Sequence, residues 1–523
     1  MEPRPNLAIR PPLADSSPLS NGDLAATTPL QRTWSTWHIA ALWIGMAVCI
    51  PTYTLAAGMI GQGMNWWQAT LTVALGNVIV LIPMVLNGHP GAKYGIPFPV
   101  LMRASFGTRG ANIPALARAL VACGWFGIQT WIGGAAIYQV LAAIGWINAA
   151  ADAQRVTFLG ISHAQAGCFA AFWLMNVFFV VKGINSIKWL ESWSAPFLLA
   201  VGLALLGWAL LKVPSVEDLF KQPSTFKTRA EFWRVFVPQL TAMVGFWATL
   251  SLNIPDFTRY AKSQNAQVWG QVLGLPTTMT LFAFIGIMVT QATVVIFGGA
   301  IWDPVLLVSK LGSVPVIILS LLALTIATLT TNIAANVVSP ANDFSNLWPR
   351  RISFRDGGLI TAAIGVLMMP WYLYQSLSAY IFVWLVGYAA LLGPIAGIMI
   401  CDYYLLRKTR LDRGALYDPR GEFAYGGGGV NWRAVATLIV AVLPSLPGFI
   451  NAAAQRAIFK PVLIGKFRVD FDSVYGFAWF VGLGVAMLLY YILMVGRARP
   501  AAEVRTAETQ GGHLSLAQLL RPV

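Results

Sequence analysis

The chain has 523 residues, 57% of them hydrophobic and 11% charged, with a formal net charge of +15 and a mean hydropathy of +0.65. Soluble domains carry about a quarter charged residues, so a water-soluble fold is excluded, and this length accommodates roughly ten to fourteen spans of about 20 residues. The positive charge does not indicate nucleic acid, because no basic domain stands apart from the apolar segments.

Residues 1–33, rich in Pro, Ser and Asn, read as a disordered cytoplasmic tail and not as a signal peptide. Twelve apolar helices follow, near 36–60, 66–87, 112–145, 163–181, 190–211, 233–254, 270–299, 314–338, 357–375, 379–404, 432–450 and 474–496. The expected divisions are a transporter core over 34–404, a cytoplasmic loop over 405–431, two further helices over 432–496, and a cytoplasmic tail over 497–523. With the N-terminus inside, the inner segments hold most Lys and Arg, including Arg103, Arg259, Arg350, Arg351 and the cluster Arg407, Lys408, Arg410 and Arg413. The outer segments hold about half as many. This bias predicts an even number of spans in a cell membrane, with both termini cytoplasmic.

Two spans are more than plain helix. The first, LWIGMAVCIPTYTLAAGMI, carries Pro51 mid-span, where proline removes a backbone donor and clashes with the preceding turn. The sixth has Gly245 at mid-span and Pro255 near its end. Interrupted helices five apart point to an inverted five-plus-five repeat with substrate and ion at the midplane. A simple proline kink is the competing reading for Pro51. Glu191, Asp256 and Asp402 sit near span ends and almost no ionisable residue lies deep, which favours a neutral substrate held by aromatic and amide groups. Cys49, Cys123, Cys168 and Cys401 lack metal-ligand spacing. No hydrolytic or metal-protease motif is present, so an enzyme is not expected; a channel is the rival, and the helix breaks favour a carrier.

Trp125 and Gln129 are four residues apart and share a face of the third helix. An indole stacks on a flat ring, and a carboxamide matches the alternating C=O and N–H edge of an imide or ureide. Spacing alone better describes a packing tryptophan and an interhelical polar contact.

At Asn253–Gln264 (NIPDFTRYAKSQ) the chain resembles the nucleobase:cation symporter-1 family. Gly91–Leu120, Gly124–Trp131 (GWFGIQTW), Thr330–Asp343 (TTNIAANVVSPAND) and Leu391–Lys408 resemble family blocks in the family's order, over roughly residues 30 to 500. The resemblance implies an all-α polytopic protein of the leucine-transporter type: helices 1–5 and 6–10 as inverted repeats, with 11 and 12 appended. It implies secondary active import of a planar nitrogen heterocycle by cation symport and alternating access, by a monomeric unit in the bilayer. The candidates are uracil, cytosine, purines, allantoin or hydantoins, with a heterocyclic vitamin as the alternative. By the same resemblance Trp125 and Trp247 sandwich the ring, Gln129 and Asn336 bind its edge, and Phe246 narrows the pocket. Cys49 departs from relatives with Gln or Asn there and offers a weaker polar contact. No cofactor is implied. Co-transported Na+ or H+ is, and a sodium site falls on the carbonyls of Gly45, Val48 and Ala327 and the hydroxyls of Thr330 and Thr331. The competing reading is that such threonines bond back to their own helical turn. Helices 5 and 10 are implied as thin gates; Gly183, Gly202 and Gly387 are candidate flexible points, with close packing as the competing reading of each.

Overall fold

The computed structural model describes residues 17–157, 159–182, 199–310, 314–464 and 467–501. Twelve spans run through it. They are α1 (Thr36–Ala47 and Ile50–Gly61), α2 (Trp66–Tyr94), α3 (Asn112–Ala143), α4 (His163–Lys182), α5 (Leu199–Lys212) and α6 (Arg229–Phe246 and Ala248–Asn253). After them come α7 (Gln264–Phe297), α8 (Val314–Asn336 and Val338–Leu347), α9 (Phe354–Leu367), α10 (Ala379–Leu406), α11 (Trp432–Val442 and Leu446–Ala454) and α12 (Ala478–Met494). Among the described residues seven are individually long and apolar enough to cross a bilayer, and the two halves of α1 together make an eighth. The expected start of the fifth span, with Gly183 and Glu191, lies outside the described residues.

The ends of the helices follow from local chemistry. Asn65 caps α2 by accepting from Gln68 N–H, and the Gln68 carboxamide oxygen accepts in return from Asn65 N–H. Gly95 closes α2 in the left-handed region at φ 72°. With 29 residues α2 continues seven beyond the expected end at 87. α9 instead stops at Leu367, earlier than the expected 375. Met369 takes a positive φ of 46° and Pro370 opens a separate short helix, so the chain turns before α10. A small antiparallel hairpin, Val462–Ile464 with Phe467–Val469, lies between α11 and α12 and adds strand to a fold expected to be all helical.

Burial sorts the spans. In α3 and α10, 78% of the apolar window is buried within the protein, against 28% in α4. The first two are therefore central and α4 is peripheral. On α2, Leu71, Leu75, Val78 and Ile82 form an exposed stripe at helical spacing, a surface suited to lipid and not to water. Spans approach closely at glycines. A Cβ on Gly270 would lie 2.4 Å from Ile39, and one on Gly274 2.7 Å from Trp43, so α7 lies tightly on α1. Gly127 likewise admits the carbonyl of Gly365, seating α9 on α3. Gly202 packs on Phe282 and Gly387 on Phe449. Both sit where a neighbouring ring needs room.

The connections that hold Arg103, Arg259 and Arg407 meet on one face, the basic face, and both ends of the described chain lie there. Residues 17–33, expected to be disordered, are packed against it. Leu24 is fully buried. Thr27 donates its hydroxyl to Arg259 O (2.6 Å) and its N–H to Gly95 O (2.8 Å). Asn21 donates to Ser345 (2.6 Å), and Arg103 donates to Leu19 O (2.7 Å) and to Asn346 (2.6 Å). The physical reason is that buried arginines and helix ends on this face need acceptors, and the segment's carbonyls supply them. The 407–431 connection is equally knit: Arg407 bonds Asp402 (2.9 Å) and Glu422 (2.6 Å). Residues 1–16 and 502–523 of the two tails lie outside the described residues.

Candidate functional site

The first break is sharper than a kink and falls before the proline. The halves of α1 meet at 58°. Cys49 is extended (φ −145°, ψ 159°), and Pro51 occupies the first turn of the second half, where a missing N–H costs nothing. The N–H of Val48 bonds Ile44 and that of Cys49 bonds Ala47. This leaves the carbonyls of Gly45 and Val48 outside the helical ladder. In α6 the interruption is at Trp247 (φ −100°, ψ 2°), two residues beyond Gly245, and Pro255 opens a separate turn. Gly245 serves the crossing, since a Cβ there would stand 3.0 Å from the carbonyl of Leu385 in α10.

Around these breaks lies a buried aromatic cluster. Trp125 of α3 meets Phe246 edge-on (centroids 5.1 Å), and Phe246 meets Trp247 at 4.9 Å. Phe246 thus stands between the two indoles that the family resemblance implies face each other across a ring. Trp247 also meets Trp43 of α1 at 5.2 Å. From α10, Tyr380, Trp384 and Tyr388 all touch the Trp125 ring, and Trp125 Nε1 donates to the Tyr388 hydroxyl (3.3 Å). These three were missed in the sequence, although their i, i+4, i+8 spacing places them on one helix face. Gly124 makes this packing feasible, because a Cβ there would lie 2.1 Å from Trp384.

Several polar atoms in the cluster are buried without a hydrogen-bond partner among the described residues: Gln129 Oε1, Trp247 Nε1, Tyr380 Oη and Trp384 Nε1. Such atoms are rare in folded proteins and cost about 1–3 kcal/mol each. Asn336 instead donates to Asn332 (3.0 Å). Asn332 in turn donates to Phe126 O, Thr130 and Asn176, tying α8 to α3 and α4. The Cys49 thiol pairs with Thr52 (3.2 Å) in its own half-helix.

The residues expected to hold a cation divide between α1 and α8. The hydroxyls of Thr330 and Thr331 both donate to Ala327 O, at 2.8 and 3.1 Å. They follow the back-bonded pattern, which uses each proton and leaves the hydroxyl oxygens with acceptor capacity.

Toward the basic face lie buried charges, of which the sequence singled out Asp256 but not the pair of Arg118 and Asp343. Arg118 and Asp343 form a fully buried ion pair of 2.8 Å between α3 and the second part of α8. Asp256 accepts from Phe98 N–H (2.8 Å) and from the Ser339 hydroxyl, and Ser339 accepts from Asn253. The motif stretches containing Asn253, Asp256, Ser339 and Asp343 were visible, but their mutual pairing depends on how α6 and α8 meet.

Comparisons with known proteins agree with this architecture. The family model described as a permease for cytosine/purines, uracil, thiamine and allantoin matches residues 27–482. A purine-uracil permease of Arabidopsis thaliana is 45% identical over 91% of this chain and 78% of its own length. The allantoin permease of Bacillus subtilis is 39% identical over 94% of this chain and 95% of its own. The structure of Mhp1, a nucleobase-cation-symport-1 family transporter in a closed conformation with bromovinylhydantoin bound, is 27% identical and superposes with a TM-score of 0.72 over 91% of this chain and 95% of that one. With its broken first and sixth helices, its twelve spans and these likenesses, the chain belongs to the nucleobase-cation-symport-1 family of membrane permeases, built on the five-plus-five inverted repeat with two appended helices.

Proposed function

We propose that this permease imports a neutral, planar nitrogen heterocycle of the uracil, purine, allantoin or hydantoin class across a cell membrane. The single observation that carries the reading is the aromatic cluster with unpartnered polar atoms around Trp125. A flat ring with N–H and C=O edges supplies what these groups lack. Trp125 and Trp247 offer stacking faces once Phe246 turns aside, and Gln129 offers an amide to the ring edge. Cys49, at the α1 break and held by Thr52, and Asn336, at the end of the first part of α8 and held by Asn332, would contribute weaker polar contacts. The names of the relatives favour this cargo over a charged one.

The basic face is taken as cytoplasmic, since Lys and Arg resist translocation, which puts both chain ends inside. Transport is by alternating access: α3, α4, α8 and α9 rock against α1, α2, α6 and α7. A cation held by the carbonyls of Gly45, Val48 and Ala327 and the hydroxyls of Thr330 and Thr331 would bridge these units and favour one arrangement. Oxygen ligands at a helix break suit a hard cation, so sodium is proposed as the coupling ion.

The test is uptake of radiolabelled uracil and allantoin by cells expressing the protein, with a panel of competing heterocycles, in sodium and in choline buffer at fixed pH. Saturable uptake blocked by one chemical class is expected, with loss in choline. Uptake equal to that of empty cells for every ring would sink the substrate assignment, and unchanged uptake in choline would sink sodium coupling.

A further inference from the structure

A cavity lies away from the aromatic cluster, at the end of the molecule opposite the basic face. Its volume is 320 Å³, at the lower end of the roughly 300–1,000 Å³ of small-molecule sites. α3, the start of α4, and the α7–α8 and α9–α10 connections line it. Trp131, Trp302, Trp371 and Tyr374 give it aromatic walls, and Asp303 and Gln375 add polar groups. Trp131 and Trp371 stand 6.1 Å apart at 56°, and Trp302 and Tyr374 5.8 Å apart at 70°.

A wall separates this cavity from the cluster around Trp125. Tyr374 bonds the Thr54 hydroxyl in the second half of α1 (2.8 Å), packs on Tyr380 (5.4 Å), and Tyr380 packs on Trp125 (6.1 Å). The same ring therefore lines the cavity on one side and supports the deep cluster on the other. Trp131 and Trp125 lie on one helix, six residues or about 9 Å apart along its axis, too far for one small ring to fill both places.

We propose that this cavity is a second, outer binding site for the same class of flat, uncharged heterocycle, occupied before the Tyr374–Tyr380 wall opens. The proposal rests on the substrate class and orientation given above. Its chemistry repeats that of the deep cluster: indole and phenol rings for stacking, the Asp303 carboxylate to accept a ring N–H, and the Gln375 carboxamide to donate and accept at the edge. Asp303 also caps the short helix Pro304–Val308 by accepting from Val305 N–H (2.9 Å). Asparagine preserves that cap, so Asp303→Asn removes the charge and leaves the loop intact. Gln375 is exposed, and truncating it disturbs no packing.

The experiment is equilibrium dialysis of the purified full chain with radiolabelled uracil and allantoin, together with uptake kinetics. Two molecules of the transported ring should bind per wild-type chain, and one per chain in both Trp125→Ala and the double variant Asp303→Asn/Gln375→Ala. In uptake the double variant should raise KM about fivefold, as expected for lost hydrogen bonds at a loading site, while the maximal rate changes far less. One molecule per wild-type chain, with unchanged KM in the double variant, overturns the outer site and leaves the transport reading standing. Absence of uptake, with a bound ring still lost in the double variant, keeps the outer site and sinks the transport reading. No binding at all overturns both.

Discussion

Gln129 presents a buried carboxamide oxygen with no donor among the described residues. Its neighbour one turn earlier, Trp125, is held by four aromatic rings and the Tyr388 hydroxyl. Trp125→Ala and Gln129→Ala should each abolish uptake while surface expression stays normal; retained uptake would remove these residues from the site. The Arg118–Asp343 pair makes a different kind of prediction. Both side chains are fully buried, so Asp343→Leu alone leaves an uncompensated guanidinium and should cost about 3–5 kcal/mol. Arg118→Met with Asp343→Leu removes both charges and should recover much of that loss. The four cysteines are all buried and free, so a thiol-reactive fluorophore read during heating reports unfolding and ranks these variants. That Trp125 and Gln129 share a helix face was legible in the sequence, because their spacing is local to one helix, while their proposed part in binding came from the family resemblance. Tyr388 and Trp43 were not, because what makes them part of the site is contact between helices far apart in the chain.

At the scale of elements, α1 shows how local chemistry and packing share the work. Proline fixes that the helix must be interrupted nearby. The actual break at Val48–Cys49, with Pro51 in the following turn, is set by where the second half docks. The 17–33 segment shows the reverse case. Its composition reads as disordered, yet it carries Leu24 at 0% exposure and acceptors for Arg103 and Arg259. Leu24→Ala should cost about 2–5 kcal/mol, the usual range for truncating a buried leucine; the same thiol assay checks it, and an unchanged transition would mean the segment is not held. In α8, Thr330 and Thr331 turn both hydroxyls to Ala327 O. Replacing both by alanine should make uptake independent of sodium and weaker, whereas uptake that keeps its sodium dependence would move the ion elsewhere.

For the whole molecule, the two described chain ends share the Arg-rich face, so the number of crossings is even. Tags placed at either terminus should be protected from impermeant reagents in intact cells and labelled after permeabilisation. Opposite accessibility of the two would contradict an even count. Alternating access requires two units that each stay rigid. The Asn176–Asn332–Thr130 bonds join α3, α4 and α8, while the glycine-lined contact joins α1 to α7. By contrast the link from Ser339 to Asp256 and Asn253 crosses from one unit to the other near the basic face, where an inward opening would part them in the orientation proposed above.

The sequence by itself determined the membrane as solvent, the twelve spans, the two interrupted helices and the family, because hydropathy, proline and linear motifs are local properties of the chain. It also put Trp125 and Gln129 on one face. Only the tertiary structure decided where the helices break, that Phe246 joins the two indoles, that α10 supplies three further rings, and that an ordered N-terminal segment seals the basic face. The reason is physical: each depends on which surfaces meet, and in a bilayer the close fit of small residues and the pairing of buried polar groups choose among helix arrangements that apolar composition alone leaves equivalent.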